Sequence, residues 1–435
     1  MNIDFRYGRE TIGLAVPDNT AVYAAAFPAP AGSAEEQVLA AISRPAGVAP
    51  LRAALAQRRS GPVVVVVSDM TRPIPYRAFL PGLLAELESA GVPRGEIVVL
   101  IATGMHRAST AAEREQMFGP QIVRDYRIVA HDAEDDEALA ALDGRSAAGA
   151  RVRLNRQYVE AGFRLVTGLV EPHFMAGFSG GRKAVCPGLA ALQTIERFHG
   201  AVMLDSAAAT NAKLAGNPCH EEACSVARLA PPDFTVNVVL DGERRLVRAF
   251  AGGLEPAHEA ACAFVRECAC PAVEQPADVV LTSSGGDPLD ATFYQCVKGF
   301  VSCLPAVRGS GTILAFGGCA EGVGSREYEQ TMRGYAGRWM QFLLDIRKPG
   351  LFTKDQWQFQ MHSRALMKVD LENLHFVTDG LPAETLAQLS VQGHAVAPCA
   401  VQSTLQALLD KHAGEGTTLA VLPDGPYCAP VVGGL

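Results

Sequence analysis

Nowhere in the 435 residues is there an apolar run long enough to cross a bilayer; the longest are strand-length. The opening MNIDFRYGRE sets acids and arginines where a secretory leader has its apolar core, so no membrane association and a cytoplasmic location are expected. Charge is scarce too. Charged residues make up 19% and the formal net charge is -8, with no surplus of Lys and Arg to hold nucleic-acid phosphates, so no nucleic-acid partner is expected. The eleven cysteines are odd in number and include no CxxC pair, the tightest group being Cys268-Ala-Cys270. Neither a disulfide framework nor a cysteine zinc site is supported, and most are expected as small buried apolar residues. No repeat of fixed period and no low-complexity tract occurs.

What is present suits a two-domain globular protein. Apolar residues reach 49%, enough to bury sheets, and the length exceeds what one core usually organises. Strand-like runs recur with helical segments between them: PVVVVVS (62–68), EIVVLIA (96–102), RIVA (127–130), RLVTGLV (164–170), ADVVLTS (277–283), GTILAF (311–316), HFV (375–377) and TLAVL (418–422). This rhythm predicts α/β architecture with mostly parallel sheets flanked by helices. FLPGLLAELESAG (79–91) has the spacing of a covering helix, and Asp-Gly within 237–252 predicts a hairpin. The acidic HDAEDDEAL (131–139) predicts a solvated helix start. The Pro-containing CACPAVEQPAD (268–278) marks the boundary, giving domains of 1–270 and 271–435.

The unusual residues fall just beyond the strand runs: SDMTRP, ATGMHR, VEPHFMAGFSGGRK, SSGGDPLDATFYQCVK and GGCAEGVGS. Open α/β sheets bind ligands beyond the carboxyl ends of their strands, so all five are site candidates. GFSGGRKAVCPG (177–188) is not a P-loop, because Arg182 separates Gly181 from Lys183 and Ala184 replaces the magnesium-binding hydroxyl. No convincing dinucleotide fingerprint replaces it. The loop's amides can still hold a lone phosphate. Lys183 has two readings: an ion-pair partner of that phosphate, or a nucleophile. A free lysine titrates near 10.4, so about one amine in a thousand or fewer is neutral at pH 7, and positive neighbours such as Arg182 raise that fraction. His106, His173 and His199 are either core or surface histidines or, from their places after strands and after the Lys183 loop, functional ones.

Taken in order, SDMTRPIP, ATGMHR, EPHFMAGFSGGRKAVCPG, the His-Gly that follows, NPCHEEA, GGDPLDATFYQCVKG and DQW resemble the lactate racemase family, over residues of about 8 to 365. The resemblance implies a nickel-pincer nucleotide, a pyridinium mononucleotide holding nickel through sulfur, carbon and sulfur. It implies covalent attachment at Lys183, nickel ligation by His199, and an acid–base pair of His106 and His173. Softer sulfur donors plus one imidazole suit square-planar nickel. It further implies maturation by cofactor biosynthesis proteins, a small 2-hydroxy acid substrate and an active site in the interdomain cleft.

The implied reaction is racemisation or epimerisation at C2. Removing the α-proton of a 2-hydroxy acid is hard because the adjacent carboxylate is a poor electron sink; hydride transfer to an electron-poor ring gives instead a 2-keto acid that can take hydride back on its other face. Each face needs a proton carrier, which two histidines supply. Arg72 is implied for the substrate carboxylate, against a helix-capping reading. Lys298, with Tyr294 and Gln295, is implied for substrate from the second domain, against a plain amphipathic helix. Asp69 is implied as a cofactor contact or is an N-cap. Gly180, Gly181 and Arg182 are implied around the nucleotide phosphate, and Trp357 lies near the cofactor or in the core. Two rival readings stand: an α/β redox or phosphate-handling enzyme of another class, and a non-catalytic small-molecule binder. The missing fingerprints weaken the first. The second has no need of Arg72, His106, His173, Lys183, His199 and Lys298 together.

Overall fold

The computed structural model describes residues 1–348 and 350–433. They form two units: a first of Phe27–Met203 with Ala208–Val265, and a second of Met1–Ala26, Leu204–Ala207 and the chain from Arg266 onward.

In the first unit a six-stranded sheet runs in the order Leu246–Gly252, Phe234–Leu240, Phe163–Leu169, Val63–Ser68, Ile97–Ala102, Arg127–Ala130. All neighbours are parallel except the first two, which form the hairpin predicted at Asp-Gly. Val63 to Val67 are fully buried, as expected of a central parallel strand covered on both faces. Each such side chain contributes about 1.5–3 kcal/mol. The helix Tyr76–Ser89 starts earlier than its sequence pattern suggested and buries Tyr76, Phe79, Leu80, Leu83, Leu84 and Leu87 against this sheet.

The second unit's sheet is wholly parallel, in the order Gln392–Ala395, Leu374–Thr378, Val307–Phe316, Ala277–Ser283, Leu419–Leu422, Ala21–Val22. Its last strand corrects the expected domain 1–270, because residues 1–26 belong here. The hairpin Asn2–Tyr7 with Glu10–Ala15 buries Phe5, Tyr7, Ile12 and Leu14 in one core with Leu281, Phe316 and Leu405. Carboxamides of Gln402 and Gln406 hydrogen-bond the hairpin's backbone.

The acidic run is a second correction. After a single 3-10 turn at Asp136–Ala138, capped by Asp135, the chain becomes the strand Leu139–Arg145, paired antiparallel with Arg151–Asn155. Pairing across the Gly144 and Gly149 turn region wins over helix growth. Among the described residues no helix is long and apolar enough to cross a membrane.

Candidate active site

In the first unit's sheet the chain moves one way from Val63–Ser68 to Ile97–Ala102 and Arg127–Ala130, then returns to Phe163–Leu169 on the other side. The reversal creates a switch point between the carboxyl ends of Val63–Ser68 and Phe163–Leu169, where open sheets bind ligands. A buried chain of hydroxyls fixes those ends: Ser68 donates its N–H to Tyr76 Oη (2.6 Å), which meets Thr167 Oγ1 (2.9 Å), which donates to Val66 O (2.8 Å).

From the first strand end comes Asp69. Its Oδ1 accepts from the hydroxyl and N–H of Thr71 (2.6 and 3.2 Å), and its Oδ2 lies 2.6 Å from Nδ1 of His106, which follows the neighbouring strand Ile97–Ala102. Burial acts to raise the Asp69 pKa, but His106, Thr71 and the Arg72 charge outweigh it and hold the carboxyl below its usual value. The ionised carboxylate accepts a hydrogen bond from Nδ1–H, so the neutral ring has its lone pair on Nε2, where a general base needs it. Asp69 is thus neither a helix cap nor isolated: it orients His106. Asp69→Asn removes a charged hydrogen-bond acceptor worth about 1.5–3 kcal/mol and is expected to lower kcat by about 10- to 100-fold with little change in KM, measured by steady-state kinetics.

The second strand end leads into the small hairpin Pro172–His173 with Gly177–Phe178 and then the Lys183 loop. Met175 and Ala176 both donate N–H to His173 Nδ1 (3.3 and 3.2 Å), so the neutral ring carries its proton on Nε2. His106 and His173 are held in complementary states, one presenting a lone pair and the other a donor. Arg72 Nη1 lies 3.9 Å from Glu171 Oε1, an acidic neighbour that sequence inspection did not single out.

Lys183 Nζ lies 4.9 Å from the ring centroid of Phe198, and among the described residues it has no hydrogen-bond or ion-pair partner. Burial, then the charges of Arg72 and Arg182, bring its pKa down to about 7. Next to Phe198, and 4.7 Å away ring to ring, is His199. Burial first and the Lys183 charge second lower the His199 pKa to about 3, so the imidazole is neutral. Its Nδ1 lies 3.2 Å from Ile195 O, to which it donates, leaving the lone pair on Nε2. Asp69 feels His106 and Arg72, Lys183 feels Arg72, and His199 feels Lys183 and His106, which gathers Asp69, Arg72, His106, Lys183 and His199 into one neighbourhood.

The loop glycines serve packing. Gly180 (φ 73°) and Gly181 (φ 51°) are left-handed; a Cβ on Gly180 would meet Val170 at 2.6 Å, and one on Gly181 would meet the His258 ring at 2.7 Å. Gly181 N–H donates to Asn237 Oδ1 (2.9 Å) and Lys183 N–H to Gly180 O (3.0 Å). Arg182, expected at a phosphate, is 1% exposed, and its Nη groups donate to Ala176 O (2.8 Å), Phe178 O (2.9 Å) and His258 Nε2 (2.7 Å). In this structure those donors face protein and leave none at Nη for a phosphate.

In the second unit, Thr292 caps the helix Phe293–Ser302, which carries Tyr294, Gln295 and Lys298. Trp357 donates Nε1–H to Tyr294 Oη (3.0 Å), and Gln358 hydrogen-bonds Tyr294 O. Gln295 Oε1 is buried without a partner. Trp357 is buried on the helix Gln356–Val369.

Comparison with known proteins matches residues 7–211 to the lactate racemase N-terminal domain and 272–428 to the lactate racemase C-terminal domain. The chain belongs to the lactate racemase family. A lactate racemase of Thermoanaerobacterium thermosaccharolyticum is 33% identical over 410 residues, covering 89% of this chain and 93% of the relative. One from Lactiplantibacillus plantarum is 32% identical, covering 97% and 98%. The solved lactate racemase apoprotein from T. thermosaccharolyticum is similar with a TM-score of 0.88, at 30% identity and full coverage of both chains. A Thermotoga maritima protein of 18% identity shares the fold, with a TM-score of 0.68 over 92% of this chain and 98% of its own. As a member of this family the chain is an enzyme of the isomerase class.

Sequence inspection missed Thr71, Glu171, Phe198, Asn237 and His258. Asn237 carried a signal, a lone carboxamide within the apolar strand FTVNVVL, and Phe198 adjoins the His-Gly pair. Thr71 and Glu171 lie within the candidate segments SDMTRP and VEPHFMAGFSGGRK without being singled out, and His258 carried no signal.

Proposed function

We propose that this chain inverts C2 of a 2-hydroxy acid with a nickel-pincer nucleotide attached at Lys183. The observation that carries the reading is the partly buried, partnerless amine of Lys183, poised near neutrality beside the neutral His199 imidazole. The residues fit the group: a neutral amine can form a covalent bond, and an imidazole with its Nδ1 occupied could give Nε2 to nickel. When bound, the group supplies an electrophilic ring that takes up and returns hydride.

The chain's own residues do the rest. Arg72 holds the substrate carboxylate with its guanidinium fork, exchanging the distant Glu171 contact for a bidentate one. His106, oriented by Asp69, accepts the substrate hydroxyl proton at Nε2. His173 serves the oxygen on the other face from Nε2, delivering a proton as the imidazolium; to reach that state, with a proton on both nitrogens, or to accept a proton at Nε2, its Met175 and Ala176 contacts to Nδ1 must lengthen. For Tyr294, Gln295, Lys298 and Trp357 the family resemblance supports the assignment, Lys298 pairing with a substrate oxygen. Cofactor-making proteins are required partners for maturation.

The test is chiral analysis of 2-hydroxy acids, lactate among them, with protein co-produced with cofactor-making enzymes; the reading fails if no acid is inverted by protein that carries the adduct. His199→Ala is expected to lose nickel at least about tenfold faster on dialysis against a chelator, because the imidazole that would hold the metal is removed. Elemental analysis reads this directly, and unchanged retention would move the ligand elsewhere.

A further inference from the structure

We propose that His258, on the helix Leu254–Ala269, is a positioning residue for Lys183 and acts through Arg182. The inference rests on the reading of Lys183 as the attachment point. Gly181–Ala184 form a single 3-10 turn, so the direction of Arg182 constrains that of the next residue. The Arg182 guanidinium is anchored beneath the turn. Nη2 donates to Ala176 O at 2.8 Å and Phe178 O at 2.9 Å, Nη1 donates to His258 Nε2 at 2.7 Å, and Ser179 O and Gly180 O lie farther off at 3.5 and 3.4 Å. Among the described residues no carboxylate pairs with it.

His258 is therefore the only side chain, among the described residues, that accepts a hydrogen bond from this buried cation. Its Nε2 also lies 2.9 Å from Ser179 O. A guanidinium is always protonated, so at the shorter distance it claims the Nε2 lone pair, and the imidazole must stay neutral to provide it. Burial, then the Arg182 charge, push the His258 pKa well below its ordinary value, in agreement with that state. The same ring fills the space that a side chain on Gly181 would need. Ring and lone pair together fix the turn from below, while Lys183 extends toward Phe198. Without the acceptor, Nη1 keeps only the long contacts to Ser179 O and Gly180 O, and shortening them requires Arg182 to rotate, which carries the turn with it.

The test compares wild type, His258→Gln, whose amide oxygen can accept from Arg182, and His258→Leu, which keeps bulk without an acceptor. Two quantities are read by mass spectrometry: the fraction of chains with an adduct on Lys183 after co-production with cofactor-making enzymes, and, in protein made without them, acetylation of Lys183 by acetic anhydride relative to Lys213 and Lys354. Losing a hydrogen bond to a charged group corresponds to about tenfold or more, so His258→Leu is expected to lower adduct yield and to change relative acetylation by at least that factor. His258→Gln should restore both to within about threefold of wild type, a rescue that simple loss of stability does not predict. Wild-type behaviour of His258→Leu, or failure of His258→Gln to rescue, overturns the proposal. If His258→Leu does not fold, Arg182→Lys, which keeps charge without reaching His258 and both carbonyls, must show the same losses; wild-type values there overturn it equally. No adduct on wild-type Lys183 would count against the attachment reading, and the acetylation ratio would still decide the role of His258.

Discussion

Lys183→Ala is expected to give folded protein whose intact mass equals that of its sequence, with no bound nickel and racemase activity at background, and wild type is expected to carry an adduct. The argument is local. Burial and two guanidinium groups hold this amine near pKa 7. An unshifted lysine titrates near 10.4, so the shift raises the neutral fraction at pH 7 by roughly a thousandfold. Attachment in wild type should therefore speed up as pH rises to about 7 and level off above it, whereas an unshifted amine would keep gaining through pH 9. Stability supplies a check on fold. A lysine whose folded pKa is depressed opposes folding at pH below that value and less so as pH rises, so Lys183→Ala should be no less stable than unloaded wild type at pH 6, measured by thermal unfolding. An adduct that persists in the alanine variant would place the attachment elsewhere.

His106→Ala and His173→Ala are each expected to lower racemisation by about 10²–10⁴-fold, the range for loss of a general acid or base. Inversion needs a proton removed on one face and delivered on the other, so neither histidine can replace its partner. The structure gives them different settings: Asp69 leaves His106 a lone pair at Nε2, while two main-chain N–H groups leave His173 a proton there. Each single variant should therefore show an absorbance change on mixing with one enantiomer and not with the other, and the two variants should respond to opposite enantiomers. Losses below tenfold, or equal responses to both enantiomers in either variant, would remove the two-base scheme.

The parts of this molecule legible in the sequence are those whose causes are local. Val63 to Val67 read as a central strand because a strand covered on both faces needs an unbroken apolar run, and Asp-Gly between two strand runs read as the hairpin it forms. What escaped depends on distant partners. Ala21–Val22 is two residues long, and only its pairing with Leu419–Leu422 makes it a strand of the second sheet. The Asp69–His106 pair joins the ends of adjacent parallel strands, and its meaning appears once Val63–Ser68 and Ile97–Ala102 are known as neighbours. The glycines before Lys183 suggested a phosphate cradle; Val170, Asn237 and His258, from three other segments, explain them through packing. The motifs nominated the candidate site residues, since chemistry restricts residue type more tightly than packing does.

The measurement that tests the central claim most directly is isotopic. Protein loaded with cofactor is incubated in D2O with a single enantiomer of each of several 2-hydroxy acids, and the opposite enantiomer formed is separated and weighed by mass spectrometry. The account predicts at least one acid whose inverted product keeps its original hydrogen at C2, because that hydrogen leaves and returns as hydride while His106 and His173 exchange only the hydroxyl proton. Inverted product carrying deuterium at C2 would mean removal of C2–H as a proton, and would contradict the account.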